Sequence, residues 1–315
     1  MFLSFSAFAE GNEDSAPDLT EGEKAQAAKA VEKKDPSGQK VDEADQVITN
    51  RRLRAQSGSL SKWSGNFAYN YNAGSLQKPL AAQRPNITAG ANNLTLQNMT
   101  LNMGLRYRFS TLNSITFATG AFITAPFNTT INTNNPALKK RFEDTKQQLT
   151  VNDPNLIYTN LTNLSGFQIV TQFTPTLITN SQQRHAGYTG SFDWTSTIMK
   201  EIGKSGLSLG GALEYTRYFF DKTDKTLGAN YLQIYPVGEY VLNETYNLRT
   251  VLGYQWEQLR NTPNDNYHKL AVFQSIGLGI TVTRNIFLYP NIQFLPSHMK
   301  QELTNVGLSA YFNAF

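Results

Sequence analysis

The chain has 315 residues, of which 40% are hydrophobic, with a mean hydropathy of −0.40 and a formal net charge of +4. No stretch approaches the roughly 18 apolar residues that a membrane-spanning helix needs, which argues against a helical membrane protein. The chain has no cysteine, which excludes a disulfide scaffold and a thiol enzyme. Its basic and acidic residues are mixed without a dense basic patch, so we expect no nucleic-acid partner.

The N-terminal part differs in composition from the rest of the chain. Residues 1–9 are apolar and end in Ala7-Phe8-Ala9, the small-residue pattern of a cleavage site, so we interpret them as the remnant of a signal peptide. Residues 10–58 are charged and contain no aromatic residue, which predicts an N-terminal tail. Two interpretations of this tail stay open: a short helix against the mouth of the folded domain, with helical sequence at 19–34, or a mostly disordered segment.

From residue 59 onwards, apolar and polar residues alternate with the period of two that is typical of β-strands. The first segment, for example, carries Trp63, Phe67 and Tyr69 on one face. We predict twelve strands, near residues 59–73, 93–109, 113–127, 154–162, 166–178, 186–200, 206–220, 229–242, 247–260, 268–283, 286–296 and 303–315. Most exceed the length of globular strands and match the roughly 10 tilted residues that cross a bilayer. The sequence therefore predicts an all-β fold for residues 59–315, a closed antiparallel up-and-down transmembrane β-barrel, rather than a soluble sandwich.

The predicted connections alternate in length along the chain. The longer set is 74–92, 128–153, 179–185, 221–228, 261–267 and 297–302, and the shorter set is 110–112, 163–165, 201–205, 243–246 and 284–285. Transmembrane barrels have short periplasmic turns and long outer loops, so we expect both barrel termini, and the tail, in the periplasm. The longest loop, 128–153, is expected to fold inward or to form a short helix.

The C-terminal strand has a polar residue, then glycine, then alternating apolar residues that lead to an aromatic residue. This pattern resembles the C-terminal recognition signal of Gram-negative outer-membrane β-barrels. The matching residues are Asn305, Gly307, Leu308, Ala310 and Phe312, and the chain ends in Phe315. The resemblance implies a member of the porin-like superfamily in the bacterial outer membrane, surrounded by its lipids and inserted by the barrel-assembly machinery.

If the apolar parity faces the lipid, the other parity faces the lumen. The predicted lumen charges are Lys62, Arg106, Arg108, Asp193, Glu214, Glu239, Arg249, Glu257 and Lys269. Glu239 and Arg249 lie on neighbouring strands across a short turn, so they can form an ion pair. The charges have mixed signs, which predicts either weak ion selectivity in an open pore or paired charges that fill a narrow one.

The sequence offers little for catalysis. Ser297 precedes His298, but adjacent residues of an extended chain point to opposite sides, so we do not expect them to act as a nucleophile and base. No metal-ligand cluster or cofactor-binding motif occurs in the sequence, so we predict no metal, no cofactor and no enzymatic activity.

Three functions therefore remain open, in decreasing order of support. The first is a porin-like channel for small hydrophilic or ionic solutes. The second is a nearly closed barrel that acts through its outer surface as a homo-oligomeric structural or lipid-interacting protein. It is favoured by outward positions that interrupt the apolar band, namely Gly65, Gly211, Gly238, Thr250 and Gln274. A distant third is an outer-membrane phospholipase, because that class also uses twelve strands.

Overall fold

The computed structural model describes residues 42–91, 93–127, 130–131, 133–222, 227–260 and 266–314. The predicted signal-peptide remnant, the predicted helix at 19–34 and Phe315 lie outside these residues. The compact unit that contains the barrel begins at Asp42, whereas the change in composition placed the start of the barrel at residue 59.

Twelve long strands form a closed antiparallel barrel, which confirms the predicted fold class. They are β1 (Trp63–Ser75), β4 (Asn98–Arg108), β5 (Asn113–Thr124), β6 (Leu149–Leu164), β7 (Phe167–Leu177), β8 (Tyr188–Glu201), β9 (Leu207–Phe220), β10 (Gly228–Val241), β11 (Tyr246–Leu259), β13 (Phe273–Thr283), β14 (Ile286–Phe294) and β15 (Asn305–Ala314). Each strand pairs with its neighbour along the chain, and β15 pairs with β1, so the ring has no free edge. This closure satisfies the backbone hydrogen bonds that lipid could not.

Strand β6 begins at Leu149, earlier than the predicted start at 154. Its register against β5 shifts between Ala118 and Gly120, which pair with Asn155 and Asn152. Two residues of β6 lie opposite one residue of β5, and this one extra residue is a β-bulge, which reverses the parity of the side chains within the strand. This reversal explains why the alternation in this part of the sequence is poor.

The two faces of the barrel have opposite chemistry. Outward positions carry large apolar side chains that are exposed, such as Leu105, Phe117 and Leu177, at 57%, 60% and 61%. Inward positions carry mostly amides, hydroxyls and charges, many of them buried. An apolar belt around a polar interior is the arrangement that a bilayer requires of a barrel.

Five tight turns lie at one end of the barrel, here called the short-turn end, and the long connections lie at the other. Near the long connections, β2 (Gln83–Pro85) pairs with β3 (Leu94–Leu96), and β12 (Tyr267–Lys269) extends the sheet beside β11. The longest loop contains helix α3 (Pro136–Thr145), whose Phe142 is buried against Ala82 and Leu96. Helix α4 (Ser181–His185) lies in the next long connection.

Two short helices precede the barrel, α1 (Glu43–Val47) and α2 (Arg51–Ser57). Each has a side-chain cap: the carboxylate of Asp42 accepts from the backbone N–H of Ala44, and the amide oxygen of Asn50 accepts from that of Leu53. No helix in the described part of the chain is both long and apolar enough to cross a membrane.

Candidate functional site: the barrel lumen

The barrel encloses a cavity of about 620 Å³. Most of its polar lining is neutral, with nine carboxamide side chains: Gln56, Asn66, Asn70, Asn102, Asn155, Gln172, Asn291, Gln293 and Asn313. Serine and threonine hydroxyls add further hydrogen-bonding groups. The four charged lining residues are Arg52, Arg106, Glu214 and Arg249, and helix α2 contributes the wall nearest the short-turn end.

Residues 42–58, here called the N-terminal segment, dock into the short-turn end through two ion pairs. Asp42 lies 2.6 Å from Arg108 Nη2, at the end of β4. Asp45 accepts from both Nε and Nη2 of Arg284, in the turn between β13 and β14, at 2.7 to 3.0 Å. Such a bidentate arrangement fixes both orientation and distance.

The other short turns also contact this segment. Asn163 Nδ2 donates to the carbonyl oxygen of Val47 at 3.1 Å, and Arg51 Nη1 donates to that of Asn243 at 2.7 Å. At the end of β8, Glu201 accepts from Thr49 Oγ1 at 2.5 Å. The N-terminal segment therefore bridges all five short turns across the mouth of the barrel.

Apolar contacts reinforce this docking. Ile48 and Leu53, 0% and 1% exposed, pack with inward side chains that include Val170, Met199 and Val237. Burial of such side chains supplies roughly 1.5–3 kcal/mol each. These contacts and the ion pairs together make the N-terminal segment part of the barrel interior.

The predicted ion pair between Glu239 and Arg249 is present in the structure, with both side chains at most 5% exposed. The second carboxylate oxygen of Glu239 accepts from Asn50 Nδ2 at 2.7 Å. This pair therefore joins β10, β11 and the N-terminal segment. Because Glu239 neutralises Arg249, the latter contributes little net charge to the cavity.

Five further predicted lumen charges face inward. Arg106 donates to the carbonyl oxygen of Ser59 at 3.0 Å, and Arg108 bonds Asp42 as described. Asp193 accepts from Thr216 Oγ1 at 2.5 Å, Glu257 accepts from the hydroxyl of Tyr231, and Glu214 lines the cavity.

Lys62 and Lys269 lie elsewhere than predicted, on the outer face. Lys62 precedes the first residue of β1, is exposed, and its Nζ lies 5.6 Å from the ring centre of Tyr107. Lys269 pairs with the outward Trp256, and its Nζ lies 5.9 Å from the ring centre of Tyr254. Both lie at or beyond a strand end, where extrapolating the alternation across a break in the strand gives the wrong face.

Asp42 lies outside the membrane-spanning strands. Burial alone would raise its pKa, but hydrogen bonds from Arg108 and from the backbone N–H of Ala44 outweigh that effect, so its pKa is lowered. The charged form of Asp42 is therefore the form that holds the N-terminal segment in place.

The residues of the C-terminal pattern all lie in β15, apart from Phe315. Asn305 and Gly307 face inward; Asn305 is fully buried and donates to the carbonyl oxygen of Pro85 at 2.9 Å. Leu308, Ala310 and Phe312 have the opposite parity and lie opposite Tyr71, Tyr69 and Phe67 of β1. The apolar half of the pattern thus lies at the seam that closes the barrel.

Ser297 and His298 differ from the expectation that they point apart. The chain turns at this point, and Ser297 Oγ lies 2.9 Å from His298 Nδ1. Both side chains are exposed. A catalytic triad also requires an acid that orients the histidine and a pocket that holds the substrate. Across the described ranges, no cluster of side chains suits a metal ion.

The fold and the lumen define a class: a closed barrel of twelve antiparallel strands, apolar outside and polar inside. Among solved structures, the chain is similar to the COG4313 outer membrane channel from Pseudomonas putida F1, with 10% identity, a TM-score of 0.51, and coverage of 81% of this chain and 97% of that one. It is also similar to the NanC porin, with 10% identity, a TM-score of 0.43, and coverage of 80% and 98%. No family model and no curated protein matches the sequence. At this identity the likeness concerns the fold.

Proposed function

We propose that the protein is a porin-like channel of the bacterial outer membrane that passes small hydrophilic or ionic solutes. The observation that carries the proposal is a closed strand ring with an apolar belt outside and a cavity of about 620 Å³ inside, lined mostly by neutral polar side chains. Sealed, apolar-filled barrels have no need of such a lining. The similarity in fold to the COG4313 outer membrane channel supports the same function.

The proposed pore is narrow and only weakly ion-selective. Arg52 and Arg106 at the cavity wall are opposed by Glu214 and, further along the lumen, by Asp193. No ring of a single sign forms among the described residues, and such rings are what give strong selectivity. The N-terminal segment narrows the pore at the short-turn end, so conductance is expected to be small.

Planar-bilayer recording of the purified protein tests the proposal. We expect small, well-defined conductance steps with similar permeability for K⁺ and Cl⁻. Absence of any conductance from folded, inserted protein would contradict the channel function. A large and strongly selective conductance would contradict the proposed lumen.

We further propose that the short-turn end and the N-terminal segment face the periplasm. The chain has no cysteine, so single cysteines can report the orientation. Gln183, in α4, and Lys204, in the turn between β8 and β9, are both exposed. In intact cells, an impermeant maleimide should label Gln183→Cys but not Lys204→Cys, and both should react once the outer membrane is permeabilised. The reverse labelling pattern would contradict this orientation.

We also propose that the barrel-assembly machinery recognises the C-terminal pattern. Leu308, Ala310 and Phe312 would present an apolar edge to the barrel-assembly machinery before β15 pairs with β1. Replacing Phe312 by Ser should slow insertion in a reconstituted assembly assay, whereas Val306→Ser, on the same face near the other end of β15, should have a smaller effect.

A second candidate is a role for the outer surface. A groove of about 640 Å³, lined by Phe117, Leu156, Leu177, Phe219 and two prolines, interrupts the outer wall. It suits a lipid acyl chain or a neighbouring barrel in a homo-oligomer. We propose no enzymatic activity for either candidate; purified protein incubated with phospholipid should release no fatty acid.

A further inference from the structure

One wall of the lumen combines aromatic rings with carboxamides in a way that the channel function alone does not require. It is formed by five neighbouring strands, from β10 through β11, β13 and β14 to β15. Here we call it the aromatic–amide band: Tyr235, Gly253, Phe273, Asn291, Gln293 and Gly307.

The aromatic half of the band depends on a glycine. Phe273 lies opposite Gly253 across the sheet, and a Cβ placed at Gly253 would come within 2.2 Å of the Phe273 ring. The missing side chain lets the ring of Phe273 lie across β11 and approach Tyr235, with ring centres 6.2 Å apart. The hydroxyl of Tyr235 accepts from Gln255 Nε2 at 3.0 Å, which fixes that ring. Both rings line the cavity and are only half-buried, so each offers apolar surface to a solute.

The amide half depends on a second glycine. Gln293 Nε2 donates to Asn291 Oδ1 at 3.2 Å, and a Cβ at Gly307 would lie 2.9 Å from that oxygen and 3.1 Å from that nitrogen. The two carboxamides therefore lie over Gly307 as a pair. Gln293 pairs with Ser275 of β13. Ser275 is two residues from Phe273 and lies on the same face of the sheet, so the carboxamides lie next to the aromatic rings.

This combination matches the chemistry of a neutral polyhydroxylated solute. Each hydroxyl of a sugar both donates and accepts, as a carboxamide does, whereas a charged side chain does only one of these. The C–H face of a sugar ring is apolar and can pack on an aromatic ring, as apolar groups do elsewhere. A cavity of about 620 Å³ falls in the size range of small-ligand sites.

The charges of the lumen also favour a neutral solute. Arg249 is neutralised by Glu239, and the remaining charges of the cavity wall have both signs. An ion would lose hydration in this narrow space without a matching ring of opposite charge. A neutral solute loses only hydrogen bonds, which the amides and hydroxyls of the wall replace.

We propose that the aromatic–amide band binds neutral sugars of one or two rings and makes them the preferred solutes of the channel. This inference rests on the proposed channel function for its transport part. Its binding part can be measured without conductance.

Isothermal titration of the full chain in detergent with maltose tests the binding. We expect saturable binding that Phe273→Ala weakens about 3- to 10-fold, the loss typical of one aromatic contact. Gln293→Ala, which removes an amide and leaves both rings, should weaken binding by a similar factor. The matched control is Phe173→Ala, on the outer face and 37% exposed, which should leave maltose binding unchanged. Each variant is shown to be folded if the unheated sample migrates differently from the heated sample on gel electrophoresis, which gives the heat-modifiable band of a folded barrel.

The outcomes separate the two proposals. Maltose binding that is absent, or that neither Phe273→Ala nor Gln293→Ala weakens, overturns the sugar site even if the protein conducts ions. Tighter binding of glucuronate than of maltose also overturns it, in favour of an acidic solute. Maltose binding that depends on Phe273, together with a silent bilayer, supports the site and contradicts the channel. Maltose that both binds and blocks the ion current supports both.

Discussion

Asp45 provides the most direct test of whether the N-terminal segment restricts the pore. Its carboxylate is held by two nitrogens of Arg284, with side-chain exposures of 12% and 22%. We expect Asp45→Asn to remove the charge with little change in shape, so that the segment undocks more often.

The size of the effect follows from the geometry. Hydrogen bonds to a charged partner contribute about 1.5–3 kcal/mol when they are well formed and mostly shielded. Since about 1.4 kcal/mol corresponds to a factor of ten, the equilibrium between docked and undocked segment should shift roughly 10- to 150-fold. The remaining contacts of Ile48, Leu53 and Asp42 still favour docking, so the channel should open in bursts rather than permanently.

Single-channel recording in planar bilayers measures this shift as an increase in the fraction of time spent in the higher-conductance state. The matched control is Asp144→Asn, the same change on the exposed face of α3. Adding Asp45→Asn to Arg284→Gln should change the open fraction little further, because the contact between the two residues is already lost. Arg284→Gln alone should have a larger effect than Asp45→Asn, because it also removes the hydrogen bond from Arg284 Nη1 to the carbonyl oxygen of Gly58 at 2.8 Å. If Asp45→Asn leaves the open fraction equal to that of the Asp144 control, the segment does not gate the pore.

Four further predictions follow from the same contacts. Deletion of residues 10–57 should leave a barrel that still inserts, because the strand ladder closes without the segment. The conductance of the shortened protein should be larger and steadier. Loss of the heat-modifiable band would mean that the segment is required for folding. Glu239→Gln leaves Arg249 buried without a counter-charge, so the unfolding free energy in urea should fall by about 3–5 kcal/mol, against little change for Asp144→Asn. Because the pKa of Asp42 is lowered in the folded state, its stabilisation of the docked segment is fully present above the unfolded value of about 3.9 and is lost as pH falls through the lower folded value. The open fraction should therefore rise below about pH 4 in the wild type and should rise less in Asp42→Asn, where only the other carboxylates of the segment can still lose their charge. The homo-oligomer stays a prediction: native mass spectrometry in mild detergent should show assemblies of more than one copy, and Gly238→Leu should reduce their share. Gln274 does not add to this prediction, because it already donates to Thr250 within the chain at 3.0 Å and needs no partner across an interface.

The barrel could be predicted from sequence because its signal is repeated. Alternation in one strand is ambiguous, but twelve segments of similar length with alternating connections admit few folds. Prediction fails where the repeat is interrupted. The bulge opposite Ala118 and Gly120 hides the start of β6, and strand breaks put Lys62 and Lys269 on the outer face.

For the N-terminal segment, the sequence left two alternatives open, a short helix at the barrel mouth or a mostly disordered tail, and it did not predict the helices at 43–47 and 51–57. The apolar residues of the segment, such as Ile48 and Leu53, are too few and too far apart to form a helical stripe, and its charges are typical of a solvated tail. What makes it an interior element lies in distant parts of the sequence. Arg108 and Arg284 at the short-turn end pair with its carboxylates, and Glu239, already paired with Arg249, accepts from Asn50. Among the predicted lumen charges, Arg108 without a cross-strand partner therefore already indicated the segment, whereas Arg284 lies in a short turn and was not among them. Arg108 and Arg284, near short turns and with no acidic neighbour across the ladder, required carboxylates from outside the barrel wall, and Asp42 and Asp45 are the carboxylates that the preceding residues supply.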